Sequence, residues 1–269
     1  MLIKTKKEIS QIKSNGQLIG EILMKLRNLC RPGLSTLEID RLAEKMIGEA
    51  GGEPAFKGYK NHPAAVPFPT TICASINKEL VHGIARRQAK LKEGDIFSID
   101  IGMKWPAKAK GVYTDTAITF AIGNISPEIK KLLAVTKEAL AVGIKAAKPG
   151  RSVAVIGRAI ENYVKAQGAY AIVRDLVGHG VGHAVHEEPH VPNFYDPKLE
   201  KVILKPGMVI AIEPMLALGT DYRVKTKSDG WTIEMMSGEL CAHFEHTVII
   251  TEKGNIVATR RPKEDEEII

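Results

Sequence analysis

Cysteine is scarce. Cys30, Cys73 and Cys241 are odd in number and widely separated along 269 residues, which excludes a disulfide framework and points to a reducing compartment. Long apolar runs are missing as well. No stretch reaches the roughly 18 residues that a membrane helix needs. The opening MLIKTKKEISQIK has lysines but no apolar segment or small-residue cleavage site, so a secretory leader is not expected. There is no G-x-S-x-G elbow, no P-loop and no nucleic-acid-binding motif, and no cysteine sits in a visible Cys-His arrangement. These absences lead to a cytoplasmic protein that uses neither membrane nor sequence-specific nucleic acid.

A composition of 44% hydrophobic and 26% charged residues is that of an ordinary globular chain. It is long enough for one large domain or two closely packed halves. The charge is less ordinary, at +7. Lys and Arg gather before Arg31, at Arg86, Arg87, Lys90 and Lys92, and at Lys104, Lys108 and Lys110. Such an excess suits weak attraction to a polyanion such as ribosomal RNA, and equally a solvated basic surface. The terminal KEDEEII reads as a frayed charged tail.

Ile9, Ile12, Ile19, Leu23 and Leu26 have helical spacing within residues 5–30. Ser35 and Glu38 form a capping-box pattern that opens a second helix, stopped near Gly51-Gly52. A Pro-containing loop (54–69) follows, then strand-like runs at 70–76, 95–102 and 112–122. Ser126-Pro127 opens a third helix that runs to about Lys148, and a fourth spans roughly 152–167. Strands and loops follow from 172.

The chain also resembles itself. RPGLSTLEIDRLAEKMIGEAGG (31–52) aligns without gaps on KPGRSVAVIGRAIENYVKAQGA (148–169). LKEGDIFSIDIG (91–102) aligns on LKPGMVIAIEPM (204–215), and TDTAIT (114–119) loosely on FEHTVI (244–249). Asp100 thereby falls on Glu213 and Asp115 on Glu245. We read this as one domain, 1–269, made of two helix–helix–strand–strand halves (about 5–123 and 124–255) related by a pseudo-two-fold axis.

Those four acids lie in apolar, strand-like segments. A carboxylate there is costly to bury unless paired or bound to metal, and four matched two by two look like ligands. A nitrogen donor is at hand in GHGVGHAVHEEPH (178–190), which holds four of the eight histidines. His186 to His190 satisfies H-E-x-x-H, but that motif works on a helix, and Pro189 inside the turn would cost about 3 kcal/mol. Four carboxylates and one imidazole are too oxygen-rich for structural zinc. They suit two divalent ions that share carboxylates and a water, an arrangement used to hydrolyse peptide bonds.

The ordered set VHGI (81–84), SIDIG (98–102), TDT (114–116), GHGVGHAVHEEP (178–189), AIEPM (211–215), SDGW (228–231) and FEHT (244–247) resembles the type I methionine aminopeptidases. The resemblance implies an α+β pita-bread fold around an antiparallel sheet, and removal of N-terminal methionine from nascent polypeptides with small second residues. It implies Asp100, Asp115, His179, Glu213 and Glu245 as metal ligands, with Asp115 and Glu245 bridging two ions (Co, Mn, Fe or Zn). Glu213 would also serve in proton transfer. His82 would contact the leaving amide nitrogen and His186 the scissile carbonyl oxygen. Trp231, Cys73 and Tyr59 would wall the methionine pocket. A monomer is expected.

The chain departs from that pattern in a longer MKWPAKAKGVYT link between Asp100 and Asp115, and in Thr114 where Gly is usual. It has a longer 54–72 segment, and Val185 where Phe is frequent. Two other functions compete: a proline-directed peptidase of the same fold, and a non-catalytic binding protein. His183, His190, His243 and His246 receive no role, and Cys30 is placed in the core.

Overall fold

A computed structural model describes residues 3–60, 62–63, 65–108 and 110–262; the terminal KEDEEII lies outside the described residues. The first half contains helices α1 (Lys6–Leu29) and α2 (Thr36–Glu49). Its strands are β1 (Glu53–Pro54), β2 (Ile72–Ile76), β3 (Glu79–Val81), β4 (Ile96–Trp105) and β5 (Val112–Ala121). In the second half α3 (Pro127–Ala146) and α4 (Ala154–Gln167) precede β6 (Tyr170–Ile172), β7 (Gly178–Gly180), β8 (Glu187–Val191), β9 (Val209–Ile212) and β10 (Met215–Leu218). The hairpin of β11 (Val224–Thr226) and β12 (Ile233–Met235) follows, then β13 (Cys241–His243), β14 (His246–Ile250) and β15 (Asn255–Val257). Every strand pairing is antiparallel.

The helix ends follow their capping chemistry. Thr5 with Glu8, and Ser35 with Glu38, form complete capping boxes on α1 and α2. Ser126 accepts from Ile129 N–H, with Pro127 in the first turn of α3. The fourth helix starts two residues later than its spacing predicts. Ser152 Oγ donates to Glu200 (3.3 Å), and Val153, the residue before α4, makes no side-chain cap.

The pseudo-symmetry appears bond by bond. Gly33 N–H donates to Leu91 O (2.8 Å) as Gly150 N–H does to Leu204 O (2.9 Å). The isolated bridges Ser35–Lys90 and Ser152–Ile203 repeat one another. Gly94 and Gly207 both sit at φ 87°, where a side chain would be strained, and donate to Ile122 O and Ile250 O, the ends of β5 and β14.

Period-two alternation decides which face meets the helices. Phe97, Ile99 and Ile101 of β4, Ile118 and Phe120 of β5, Ile210 and Ile212 of β9, and Val248 and Ile250 of β14 enter one core with α1–α4. Asp100, Asp115, Glu213 and Glu245 therefore fall on the opposite face. In β4–β5 the register sets Asp100 against Ala117 and Gly102 against Asp115, which makes the two aspartates diagonal neighbours.

The link between the aspartates is not a long loop, as its sequence suggests. Strand β5 begins at Val112, as the 112–122 run predicts, while Met103, Lys104 and Trp105 lengthen β4 to pair with Thr114, Tyr113 and Val112; Trp105 Nε1 ties the tip to Ala50 O (3.0 Å). Asn15, fully buried on α1, bonds the same hairpin by donating to Met103 O (2.9 Å) and Val112 O (2.8 Å). Asn15→Leu leaves both acceptors without this donor. It should lower the unfolding free energy in urea by about 2 kcal/mol; a change under about 0.5 kcal/mol would show that the link contributes little.

Candidate active site

On the face away from the helices lies a cavity of about 530 Å³, with acidic and imidazole groups on one side and aromatic walls on the other. Asp100, Asp115, Glu213, Glu245, His82, His179 and His186 all line it. Ligand atoms of Asp115, His179 and Glu245 lie within 4.8 Å of one another. His179 Nε2 is 3.5 Å from both Asp115 Oδ2 and Glu213 Oε1.

His179 reaches this centre because β7 has almost no other side chains. A Cβ on Gly178 would meet Ala211 O at 2.4 Å, and one on Gly180 would meet Glu188 O at 2.3 Å, so only glycine lets β7 press this close to β8 and β9. His179 Nδ1 lies 2.9 Å from Gly180 O. With the proton on Nδ1, donated to that carbonyl, Nε2 faces the carboxylates as a free acceptor.

The carboxylates have little neutralising company. Burial, followed by mutual repulsion, pushes Glu245 well above the ordinary range. Burial is also the main cause for Asp100, raised to about 7, and Glu213, raised to about 8; Asp115 is raised too. Asp100 Oδ1 is buried without a hydrogen bond. Arg261 lies behind the cluster and spends its guanidinium on Thr116 Oγ1 (2.9 Å) and the carbonyls of Ala117 and Glu245 (3.3 Å each). An acidic, oxygen-rich donor set with one outward-facing imidazole fits divalent cations, and four carboxylates match the charge of two.

Three supporting residues had no assigned role in the sequence. His243 is buried, with Nε2 3.2 Å from Glu213 Oε2. Thr247 Oγ1 lies 3.1 Å from Asp115 Oδ1 and accepts the Asp115 N–H at 3.2 Å. Both share the face of Glu245, two residues either way, so strand periodicity holds a signal for them. Arg261 comes from an irregular segment with no such signal. Of the remaining histidines, His183 Nε2 meets Glu8 Oε1 (2.9 Å), His246 Nδ1 meets Thr259 Oγ1 (2.9 Å), and His190 stays exposed. Residues 187–191 form strand β8, so H-E-x-x-H is not helical here.

His82 holds a left-handed conformation, φ 56°, an unfavourable state for a non-glycine residue that surrounding bonds must enforce. Gly83 O accepts from Ala74 N–H (2.7 Å), and Ile84 N–H reaches Thr232 Oγ1 (3.4 Å). Burial, then His243, lowers the His82 pKa to about 4. His186, exposed to the cavity, is lowered by desolvation among the walls and by His179 and His82. Both rings are neutral at neutral pH. His186 Nδ1 lies 2.8 Å from the Tyr59 hydroxyl. With that hydroxyl donating, Nε2 carries the proton.

The apolar wall belongs to one cluster of Phe56, Phe68, Cys73, Val185 and Trp231, with Tyr59 packed against it; of these, all but Val185 line the cavity. Trp231 donates Nε1–H to Val66 O (3.0 Å) and meets Phe68 edge-on, centroids 5.3 Å apart. The long 54–72 segment thus supplies Tyr59, Val66 and Phe68, and Phe68 adds aromatic bulk to the cluster in which Val185 is small. Phe56 and Phe68 were not anticipated from sequence.

Comparison with known proteins matches this geometry. The pattern of metallopeptidase family M24 fits residues 10–252. Methionine aminopeptidase 1 of Bacillus subtilis is 45% identical over 260 residues, which cover 97% of this chain and 99% of that protein. The crystal structure of methionine aminopeptidase from Thermotoga maritima superposes with a TM-score of 0.89 at 37% identity, covering 97% of this chain and all of that one. Prolidase from Pyrococcus horikoshii shares the fold at a TM-score of 0.75 and 23% identity, and this chain covers 65% of it. The chain belongs to metallopeptidase family M24 and, within it, to the methionine aminopeptidases.

Proposed function

We propose that this protein removes the initiator methionine from nascent polypeptides, favouring small second residues. One observation carries the reading: the four buried carboxylates and His179 line the same cavity as the apolar side chains of Phe56, Phe68, Cys73 and Trp231. A metal centre beside a slot sized for an unbranched apolar side chain suits methionine.

Asp100, Asp115, His179, Glu213 and Glu245 would hold two divalent ions, with Asp115 and Glu245 shared between them. Such ions supply a water of lowered pKa and polarise a carbonyl. Glu213 takes up the proton released as the peptide carbonyl is attacked and passes it towards the leaving amine. His186 donates Nε2–H to the carbonyl oxygen as charge develops there. His82, beside Trp231 (ring centroids 6.2 Å apart), meets the leaving amide nitrogen, so a bulky second residue would collide with it. Tyr59, Cys73 and Trp231 flank the methionine side chain.

The reading includes one catalytic domain, 1–269, arisen by duplication, acting as a monomer in the cytoplasm. No helix among the described residues is long and apolar enough to cross a membrane. The basic clusters suit weak docking near ribosomal RNA, where nascent N-termini emerge. The full coverage of methionine aminopeptidases, against 65% of a prolidase, favours methionine over the proline-directed alternative.

Substrate choice tests the activity directly. With divalent metal present, Met-Ala-Ser should be cleaved at least tenfold better than Met-Lys-Ser, and Ala-Pro-Ala should resist. One methylene contributes about 1–3 kcal/mol in such a slot, so norleucine should replace methionine. Turnover of Ala-Pro-Ala without Met-Ala-Ser would move the chain to the proline-directed branch.

The shared-ligand assignment predicts that Asp115→Asn loses activity and both ions together, while Asp100→Asn weakens mainly one. Calorimetric titration showing two normal sites in Asp115→Asn would remove it.

Removal of metal should also invert the pH response. In the metal-free protein Asp100 and Glu213 have folded pKa values above their unfolded ones, so folding takes up protons. Their contribution is fully present below about pH 4 and is lost as pH rises towards 7–8. Chelator-treated protein should lose more than about 2 kcal/mol between pH 5 and 8.5, and excess metal should abolish that loss. A flat profile without metal would contradict four uncompensated acids.

A further inference from the structure

The short arm before α1 reaches the catalytic loop. Lys4 N–H donates to Gly207 O (2.9 Å), and its Nζ lies 2.7 Å from Glu187 Oε2, the two side chains only 1% and 7% exposed. A lysine this deeply buried needs its partner, and removing one member of such a pair is far costlier than having neither. The other Glu187 oxygen accepts the N–H groups of His183 and Ala184. The carboxylate thus closes the turn that leads into His186, its immediate neighbour in sequence. Burial opposes its charge, but the bonds from Lys4, Ala184 and His183 hold its pKa below the ordinary range.

A second contact runs beside the first. Glu8 bonds His183 Nε2 (2.9 Å) while its other oxygen accepts the Thr5 N–H in the capping box of α1 (2.8 Å). A Cβ on Gly182 would come within 2.5 Å of Lys4 Cε, so the lysine stem also packs on the start of the turn. Two carboxylates therefore join the first turn of α1 to the segment 182–187, and α1 is anchored in the core through Ile19, Leu23 and Leu26.

We propose that Lys4 is a positioning residue for catalysis: through Glu187 it holds the 182–187 turn so that His186 presents Nε2–H to the scissile carbonyl. This rests on the reading of His186 given above. A buried ion pair stabilises little more than an apolar pair of the same volume, whereas a displacement of about 1 Å at a catalytic group costs about a hundredfold in rate. Position, more than stability, is what such a pair supplies here.

The test crosses the arm with the histidine. Lys4→Met in the full-length, metal-loaded protein should lower kcat for Met-Ala-Ser about 10- to 100-fold. KM should stay within about twofold, and metal content should not change. In a His186→Ala background the same substitution should cost less than about twofold, since the group it positions is gone. Amide exchange of residues 183–187 should quicken at least tenfold in Lys4→Met while strand β14 stays protected. If Lys4→Met does not fold, Glu187→Gln removes the charge, keeps an acceptor for the two N–H groups, and is read by the same measures. Unchanged kcat, an equal loss in both backgrounds, or unchanged exchange at 183–187 would overturn the proposal. Should His186→Ala alone retain full kcat, the carbonyl-donor role falls instead, and the exchange rates still decide whether the arm holds the turn.

Discussion

Repulsion among four buried carboxylates is the constraint around which this molecule is arranged. Moving a carboxylate out of water is unfavourable, and placing others beside it raises the cost. No fold would hold this cluster for stability. It persists because strands β4, β5, β9 and β14 have already used their alternate faces to bury Phe97, Ile99, Ile210, Val248 and their neighbours against the four helices. Hydrophobic burial on one side of each strand thus offsets charge crowding on the other. Bound divalent cations would turn the unfavourable face into the best-satisfied one.

That constraint also explains why the supporting residues are polar and fixed. Thr247 holds Asp115, His243 faces Glu213, and Arg261 binds the backbone carbonyls beneath Glu245. None of them carries the negative charge that another acid would add. Arg261 brings a positive charge near Glu245 and lowers its pKa, against the larger effects of burial and repulsion. The histidines form a separate system around the cavity. His82 and His186 are both kept neutral, so each remains an adjustable donor or acceptor beside the cationic centre.

Much of this could be read from the sequence, for identifiable reasons. The helices announced themselves through period and caps, since Ser35-Glu38 and Ser126-Pro127 are local chemistry that tertiary contacts did not override. The fourth helix has no side-chain cap and starts two residues past its expected boundary. The acids could be nominated because the internal sequence repeat aligns Asp100 with Glu213 and Asp115 with Glu245, and the structure brings all four to one cavity. What stayed hidden depended on contacts between distant segments. Phe68 and Phe56 reach the pocket from a loop with no periodicity. The extension of β4–β5 looked like a loop because MKWPAKAKGVYT is polar and holds Pro106. Arg261 acts across 145 residues on Thr116. His243 is different: it stands two positions before Glu245, where alternation marks it, but the repeat gives it no acidic partner.

The aromatic side of the cavity shows how a fixed metal centre coexists with a variable pocket. The four acids sit on paired strands or one residue beyond their ends, where a shift of one residue would turn each carboxylate into the core, so register permits no drift. Tyr59, Phe68, Val185 and Trp231 come instead from segments outside those strands, joined by single bonds such as Trp231 Nε1–H to Val66 O. There, a smaller Val185 can be accompanied by a longer 54–72 segment that delivers Phe68 into the same wall, with no ligand moved. Specificity can therefore change by exchange of bulk between loops, while the chemistry stays fixed by the sheet. His82 and His186 stand at the boundary between these two regimes. Each is on a turn, and each is held by bonds that reach back to a strand or to α1. In this molecule the two imidazoles are as well placed as those few bonds make them.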